Sequence, residues 1–205
     1  MNFLFDIGRV LLDFDFETSL ARLLPADVED PRARLSLLLE RKDELEAGRI
    51  PADEFIDWAL DTLGSKATPD QFRHAWRDIF TPNEPMWKVV GALAAAGHKL
   101  VLFSNINSIH VPWIYEAYPC FSAFHGAVMS FEVGAIKPEP AIYRHAIEMH
   151  GLDPAQTLYI DDLAENVAAG RAAGLRCWQY DLNDHSSFEA WLQASLQPAH
   201  ACPTS

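Results

Sequence analysis

Four short stretches of this chain carry residue types that could move a phosphoryl group. Asp6 closes the apolar run Phe3-Leu4-Phe5 and is followed by Ile7 and Gly8. Ser104 and Asn105 follow a second apolar run, Lys137 sits in Gly134-Ala-Ile-Lys-Pro-Glu-Pro140, and Asp161-Asp162 close a third run. A carboxylate can attack phosphorus and carry the group as an acyl phosphate. That attack adds negative charge to a group already negative, so cations and donors have to surround it. A hydroxyl and main-chain amides at Ser104 and Asn105 suit phosphate oxygens, and Lys137 supplies a compact positive charge. Asp6, Asp161 and Asp162 are hard oxygen donors of the kind Mg²⁺ prefers. Taken singly, each stretch has an ordinary reading as a turn, a helix cap or a solvated loop. Their order and shared placement tie them together.

That placement depends on the elements around them. Short apolar runs at 3–6, 99–103, 126–130, 157–160 and 175–180 read as strands, because continuous apolar residues suit parallel strands covered on both faces. Helical patterns at 85–96, 138–150 and 162–173 each end at a glycine (Gly97, Gly151 and Gly174), where helices stop readily. The alternation predicts an α/β fold with a doubly wound parallel sheet. Such sheets bind ligands at the carboxyl ends of their strands, and all four stretches fall on that edge. Gly8 is expected to let the backbone turn sharply there. Residues 16–82 break the alternation with helical patterns and no strand. They read as a helical cap domain inserted into a core of residues 1–15 plus 83–197. Within and beside it, Glu46, Trp76 and Trp113 read as helix-surface or core residues. Asp13, Asp15 and Glu17 read as solvated, and residues 197–205 as a frayed tail.

The totals exclude several classes. The chain has 205 residues, 49% of them hydrophobic and 22% charged, as expected of one large domain or a core with an insertion. A net charge of −13 argues against a nucleic-acid partner, which calls for a basic face. Cys120, Cys177 and Cys202 form no CxxC pair and predict neither zinc nor a disulfide framework. The longest apolar region, 89–103, is interrupted by Gly91, Gly97, His98 and Lys99 and predicts no membrane span. A cytoplasmic location is expected, with no membrane partner. The oligomeric state is not legible.

In this order, Asp6-Ile-Gly-Arg-Val10, Ser104-Asn105, Gly134 to Pro140 and Ile160-Asp-Asp162 resemble the four successive motifs of the haloacid dehalogenase superfamily of hydrolases. The helical insertion resembles the cap of its first subclass. Glu46-Ala-Gly-Arg-Ile50 and Ser104-Asn-Ile-Asn107 are similar to segments of the branch that contains α-D-glucose-1-phosphate phosphatase. The resemblance implies a Rossmann-like core and a Mg²⁺-dependent phosphatase acting on a small phosphate ester. Asp6 would be the nucleophile and a metal ligand, and Ser104, Asn105 and Lys137 would bind the transferring group. Asp161, Asp162 and the Gly8 carbonyl would complete the metal site, and Asn166 would orient Lys137.

One departure bears on catalysis. Most phosphatases of this superfamily carry a second aspartate where this chain has Gly8, and that aspartate protonates the leaving group. Its side chain is commonly worth about 10²–10⁴-fold. The loss matters less for an anomeric sugar phosphate, whose leaving hydroxyl is more acidic. Arg9 could reach the phosphate or form a surface ion pair. Two other functions compete: a phosphate-ester-binding protein that has lost catalysis, and a 2-haloacid dehalogenase, for which a doubled aspartate would be repulsive and without purpose.

Overall fold

In the computed structural model, residues 1–197 are described; most of the tail expected to fray, and Cys202 with it, lies outside them. Five parallel strands form the main sheet: β1 (Asn2–Phe5), β4 (Lys99–Ser104), β5 (Gly126–Met129), β6 (Thr157–Asp161) and β7 (Arg176–Gln179). Their spatial order is β5-β4-β1-β6-β7, so β1 is central. Every strand expected from the apolar runs is present within a residue or two.

The reason β1 reads as uninterrupted apolar residues is visible in its packing. Phe3 and Phe5 face one layer with Leu100, Leu102, Leu158 and Ile160. The helices Glu84–Ala95 and His185–Leu196 cover that layer through Met86, Val90, Leu93, Phe188 and Leu192. Leu4 faces the opposite layer with Val101, Phe103 and Tyr159, beneath Ile142, Tyr143 and Ala146 of the helix Pro140–His150. Successive side chains point to opposite faces, and both faces are covered, so no polar alternation is possible.

Two helix starts differ from expectation. The helix expected from 138 begins at Pro140, because Glu139 precedes a proline and takes an extended ψ of 128°. The helix expected from 162 begins at Ala164, since Leu163 is extended at ψ 125° and the Asp161 side chain holds its amide.

Residues 16–77 fold as short helices around an apolar cluster of their own, including Leu20, Leu38, Phe55, Ile56, Phe72 and Trp76. One correction applies here. Phe80–Pro82, expected within the helical stretch, is a strand (β3) antiparallel to β2 (Leu12–Phe14). Three residues, one of them proline, are too few to show a strand period. This two-stranded ribbon carries the chain out of the sheet and back. Among the described residues, no helix is long and apolar enough to cross a membrane.

Candidate active site

The sheet register brings three of the four stretches together. Phe5 pairs with Leu102 on one side and with Ile160 on the other. Asp6, Ser104 and Asp161 therefore end adjacent strands at one carboxyl edge. The Asp6 amide donates to the Ile160 carbonyl at 3.0 Å, which ties the aspartate to the strand end rather than to a loop.

Lys137 enters this cluster from its loop, and its ammonium is nearly saturated. Nζ donates to the Phe103 carbonyl at 2.9 Å and to Asp161 Oδ2 at 2.6 Å, and lies 3.0 Å from Asp6 Oδ1. Burial alone would lower its pKa, but the charges of Asp161 and Asp6 outweigh that and hold it well above the ordinary lysine value. Asn105 positions the loop: its Nδ2 donates to the Lys137 carbonyl at 2.9 Å, and its Oδ1 accepts from the Lys137 amide at 2.7 Å. The Asn105 side chain is thus engaged with the lysine's backbone. The Ser104 hydroxyl lies beside Asp6, whose charged form it favours.

Asp161 is fully buried and fully used. Its Oδ2 accepts from Lys137, from the Tyr159 hydroxyl at 2.5 Å and from Asn166 Nδ2 at 3.3 Å. Its Oδ1 accepts from the Leu163 amide at 2.9 Å and from Asn166 Nδ2 at 3.1 Å. Burial opposes its charge, yet Lys137 and these donors hold it below the usual carboxylate range. Asn166 therefore orients Asp161, and not Lys137 as expected. Tyr159 was missed by sequence reasoning. Its signal was available, because a residue two before Asp161 on a strand shares its face.

Asp6 and Asp162 are less well compensated. Burial pushes the Asp6 carboxyl up against the pull of Lys137, and Asp161 adds to the push. Its Oδ1 has no aligned hydrogen-bond donor among the described residues; its close cation is Lys137 Nζ at 3.0 Å, which Asp161 shares. Burial, with Asp6 and Asp161 nearby, pushes Asp162 up to about 7. One oxygen from each of Asp6, Asp161 and Asp162 can be chosen so that all lie within 4.8 Å of one another. Three carboxylates facing one ammonium form a set short of positive charge. Its donors are hard oxygens, with open lone pairs at Asp6 and at Asp162. That set fits a divalent cation of the Mg²⁺ type.

The chain turns sharply after Asp6, as expected, with the amides of Leu11 and Leu12 both on the Ile7 carbonyl at 2.9 Å. Gly8 does not take the left-handed conformation; Arg9 does, with φ 57°. What Gly8 provides is space: a Cβ there would lie 3.1 Å from Cε1 of Phe14. Arg9 pairs with Asp13 at 2.7 Å and lies over the Phe14 ring at 4.8 Å, so it clamps the ribbon. Of the three residues read as surface or core, Trp76 is core and Trp113 is partly buried. Glu46, in contrast, is buried with only 7% of its surface exposed.

A family model for haloacid dehalogenase-like hydrolases matches residues 3–174. The chain belongs to the haloacid dehalogenase-like hydrolase family. The D-ribitol-5-phosphate phosphatase of Bacteroides thetaiotaomicron is 26% identical to this hydrolase over 188 residues, covering 87% of this chain and 90% of that one. A HAD family enzyme from the same organism, solved in complex with magnesium and inorganic phosphate, superposes with a TM-score of 0.75 at 24% identity over 88% of this chain and 94% of the other. A HAD-like family hydrolase of Porphyromonas gingivalis superposes at 0.72 with 25% identity, covering 94% and 97%. The parallel sheet with helices on both faces is the fold these family members share.

Proposed function

We propose that this hydrolase is a Mg²⁺-dependent phosphomonoesterase that acts on a small sugar or polyol phosphate through an aspartyl phosphate on Asp6. The observation that carries this reading is a buried nucleophile whose Oδ1 is ion-paired at 3.0 Å with a lysine that also serves Asp161, beside carboxylates that together outnumber that one cation. The similarity to a D-ribitol-5-phosphate phosphatase supports the substrate class.

In this reading an Asp6 oxygen attacks phosphorus, and the bond from phosphorus to the ester oxygen breaks. Water then attacks the acyl phosphate, releasing inorganic phosphate and restoring Asp6. Lys137 stays charged beside Asp6 and offsets the growing negative charge. The Ser104 hydroxyl donates to the phosphoryl oxygens, and Asn105 acts by holding the Lys137 loop. Asp6, Asp162, Asp161 and the Gly8 carbonyl would hold the metal, with Asp161 the ligand most committed to other partners. A bound Mg²⁺ would supply Lewis-acid neutralisation of the phosphoryl oxygens. The helical segment of residues 16–82 acts as a cap that covers the site and selects the ester, excluding water when closed.

The test is phosphate release from a panel including glucose 1-phosphate, glucose 6-phosphate and ribitol 5-phosphate, in Mg²⁺ or in EDTA. Release is expected to require Mg²⁺. Asp6→Asn should lower it by about 10⁴-fold or more without changing the circular dichroism spectrum. Undiminished activity in Asp6→Asn would refute the nucleophile. Halide release from 2-haloacids in EDTA would move the assignment to the dehalogenase chemistry. The missing acid at Gly8 is what motivates the remaining reading, a binder without turnover; tight ester binding with no release from any ester would favour it.

A further inference from the structure

Protonation of the leaving group needs an acid, and Gly8 supplies none. The ribbon does not fill the gap. Asp13 is paired with Arg9, and Asp15 accepts from the Thr18 amide at 3.1 Å and from its hydroxyl at 2.6 Å. Glu17 pairs with Arg32 at 2.9 Å. The Phe14 ring closes on Gly8, where a Cβ would lie 3.1 Å from its Cε1.

Glu46 is differently placed. It ends the short helix Lys42–Glu46, which packs on the helix Ser130–Val133 of the core. Two residues on, Gly48 lies so close to that helix that a Cβ would come 2.2 Å from the Phe131 carbonyl oxygen. Ser130 in turn bonds both the amide and the carbonyl of Ile106 through its hydroxyl, just beyond Ser104 and Asn105. This stacking seats the helix that carries Glu46 on the core helix whose first residue braces the loop after Ser104 and Asn105, near enough to Asp6 for its charge to act on Glu46. Among the described residues Glu46 Oε2 is buried without a hydrogen bond; Lys42 Nζ stands 3.2 Å away as an ion pair, but not in hydrogen-bonding geometry. A buried carboxyl oxygen whose close cation is misaligned is poorly held in its charged form and favours a proton or a further partner. Burial pushes Glu46 up to about 7; Lys42 opposes this, while Asp43 and Asp6 add to it.

On the phosphatase reading above, we infer that Glu46 is the general acid–base of this enzyme, supplied by the helical segment in place of the side chain absent at Gly8. In the first step Asp6 bonds to phosphorus, the ester bond breaks, and the Glu46 proton passes to the departing oxygen to give the alcohol. In the second step the Glu46 carboxylate takes a proton from water as the water oxygen attacks phosphorus. The Asp6–phosphorus bond then breaks, leaving inorganic phosphate and a protonated Glu46. The leaving oxygen departs on the side opposite Asp6, so an acid borne by a different element from the nucleophile suits an in-line displacement.

The experiment compares two esters on the Mg²⁺-loaded wild-type enzyme, Glu46→Gln and Glu46→Asp. An alkyl ester such as glucose 6-phosphate needs its leaving oxygen protonated; p-nitrophenyl phosphate does not. In Glu46→Gln, kcat/KM for the alkyl ester should fall about 10²–10⁴-fold. The first-turnover burst of p-nitrophenolate should be nearly unchanged and followed by slow steady turnover, because water attack lacks its base. Glu46→Asp should recover part of the alkyl-ester activity. Equal losses on both esters in the first turnover, a change in KM alone, or no change would overturn the assignment. The burst itself reports a folded site in Glu46→Gln. If wild type releases nothing from any ester, or Asp6→Asn stays active, the phosphatase reading fails instead.

Discussion

Around Lys137 and Asp161, polar groups are spent on one another. Lys137 has three oxygen neighbours, Asp161 has donors on both oxygens, and Asn105 clamps the lysine loop at two points. Elsewhere at the site, groups are compensated less fully. Among the described residues Asp6 Oδ1 and Glu46 Oε2 each have a lysine close by but no aligned hydrogen bond, Asp162 is pushed up to about 7, and the Phe14 ring closes on Gly8. The difference separates two tasks. The satisfied side is an electrostatic frame that must not move while charge shifts. The unsatisfied side has lone pairs and protons to give, which is what a substrate and a cation require.

This contrast can be broken most forcefully at Lys137. Lys137→Met keeps the length but removes the charge, stranding Asp161 and Asp6. Loss of one partner from a buried ion pair costs about 3–5 kcal/mol, so urea unfolding should show a loss of that size. A loss within error would mean the frame is not held by charge.

A second test concerns how the helical segment is anchored. His110 is buried; its Nε2 lies 2.8 Å from the Trp76 carbonyl and its Nδ1 3.2 Å from Asn107 Nδ2. Those partners call for a neutral ring protonated on Nε2. Burial lowers its pKa from 6.5 to about 4, against the pull of the Trp76 carbonyl and helped by Arg77. A histidine depressed on folding contributes no penalty above its unfolded pKa. Its cost grows as pH falls from 6.5 toward 4, reaching on the order of 3 kcal/mol at 1.36 kcal/mol per unit. The melting temperature should therefore drop across that window, and His110→Gln should flatten the slope. An unchanged slope would remove His110 from the account.

The smallest effect is expected at Gly8. Gly8→Asp restores the carboxyl common in the superfamily, but its Cβ meets Phe14 at 3.1 Å. Overpacking of this kind costs roughly 1–3 kcal/mol, read as a lower denaturant midpoint, and adding Phe14→Leu should return most of it. If Gly8→Asp alone is neutral, the ring yields freely and does not explain the glycine.

The strand runs, the order of the chemical stretches and the helix-ending glycines were legible because they are local. A central parallel strand must be apolar throughout, and a carboxylate at its end follows from register. Asp6, Lys137, Asp161 and Asp162 could thus be singled out in the chain itself. What tertiary structure alone decided is which groups are satisfied. Asn105 reads as a phosphate ligand through its main chain, and only the fold adds that its side-chain amide clamps the Lys137 backbone; Asn166 reads as a partner of Lys137 until it is seen on Asp161. Glu46 reads as a helix-surface residue because its burial comes from contact with a helix more than eighty residues away in sequence. Period and motif report what a residue can do. Which lone pairs and protons remain free depends on neighbours that only the folded chain brings within reach.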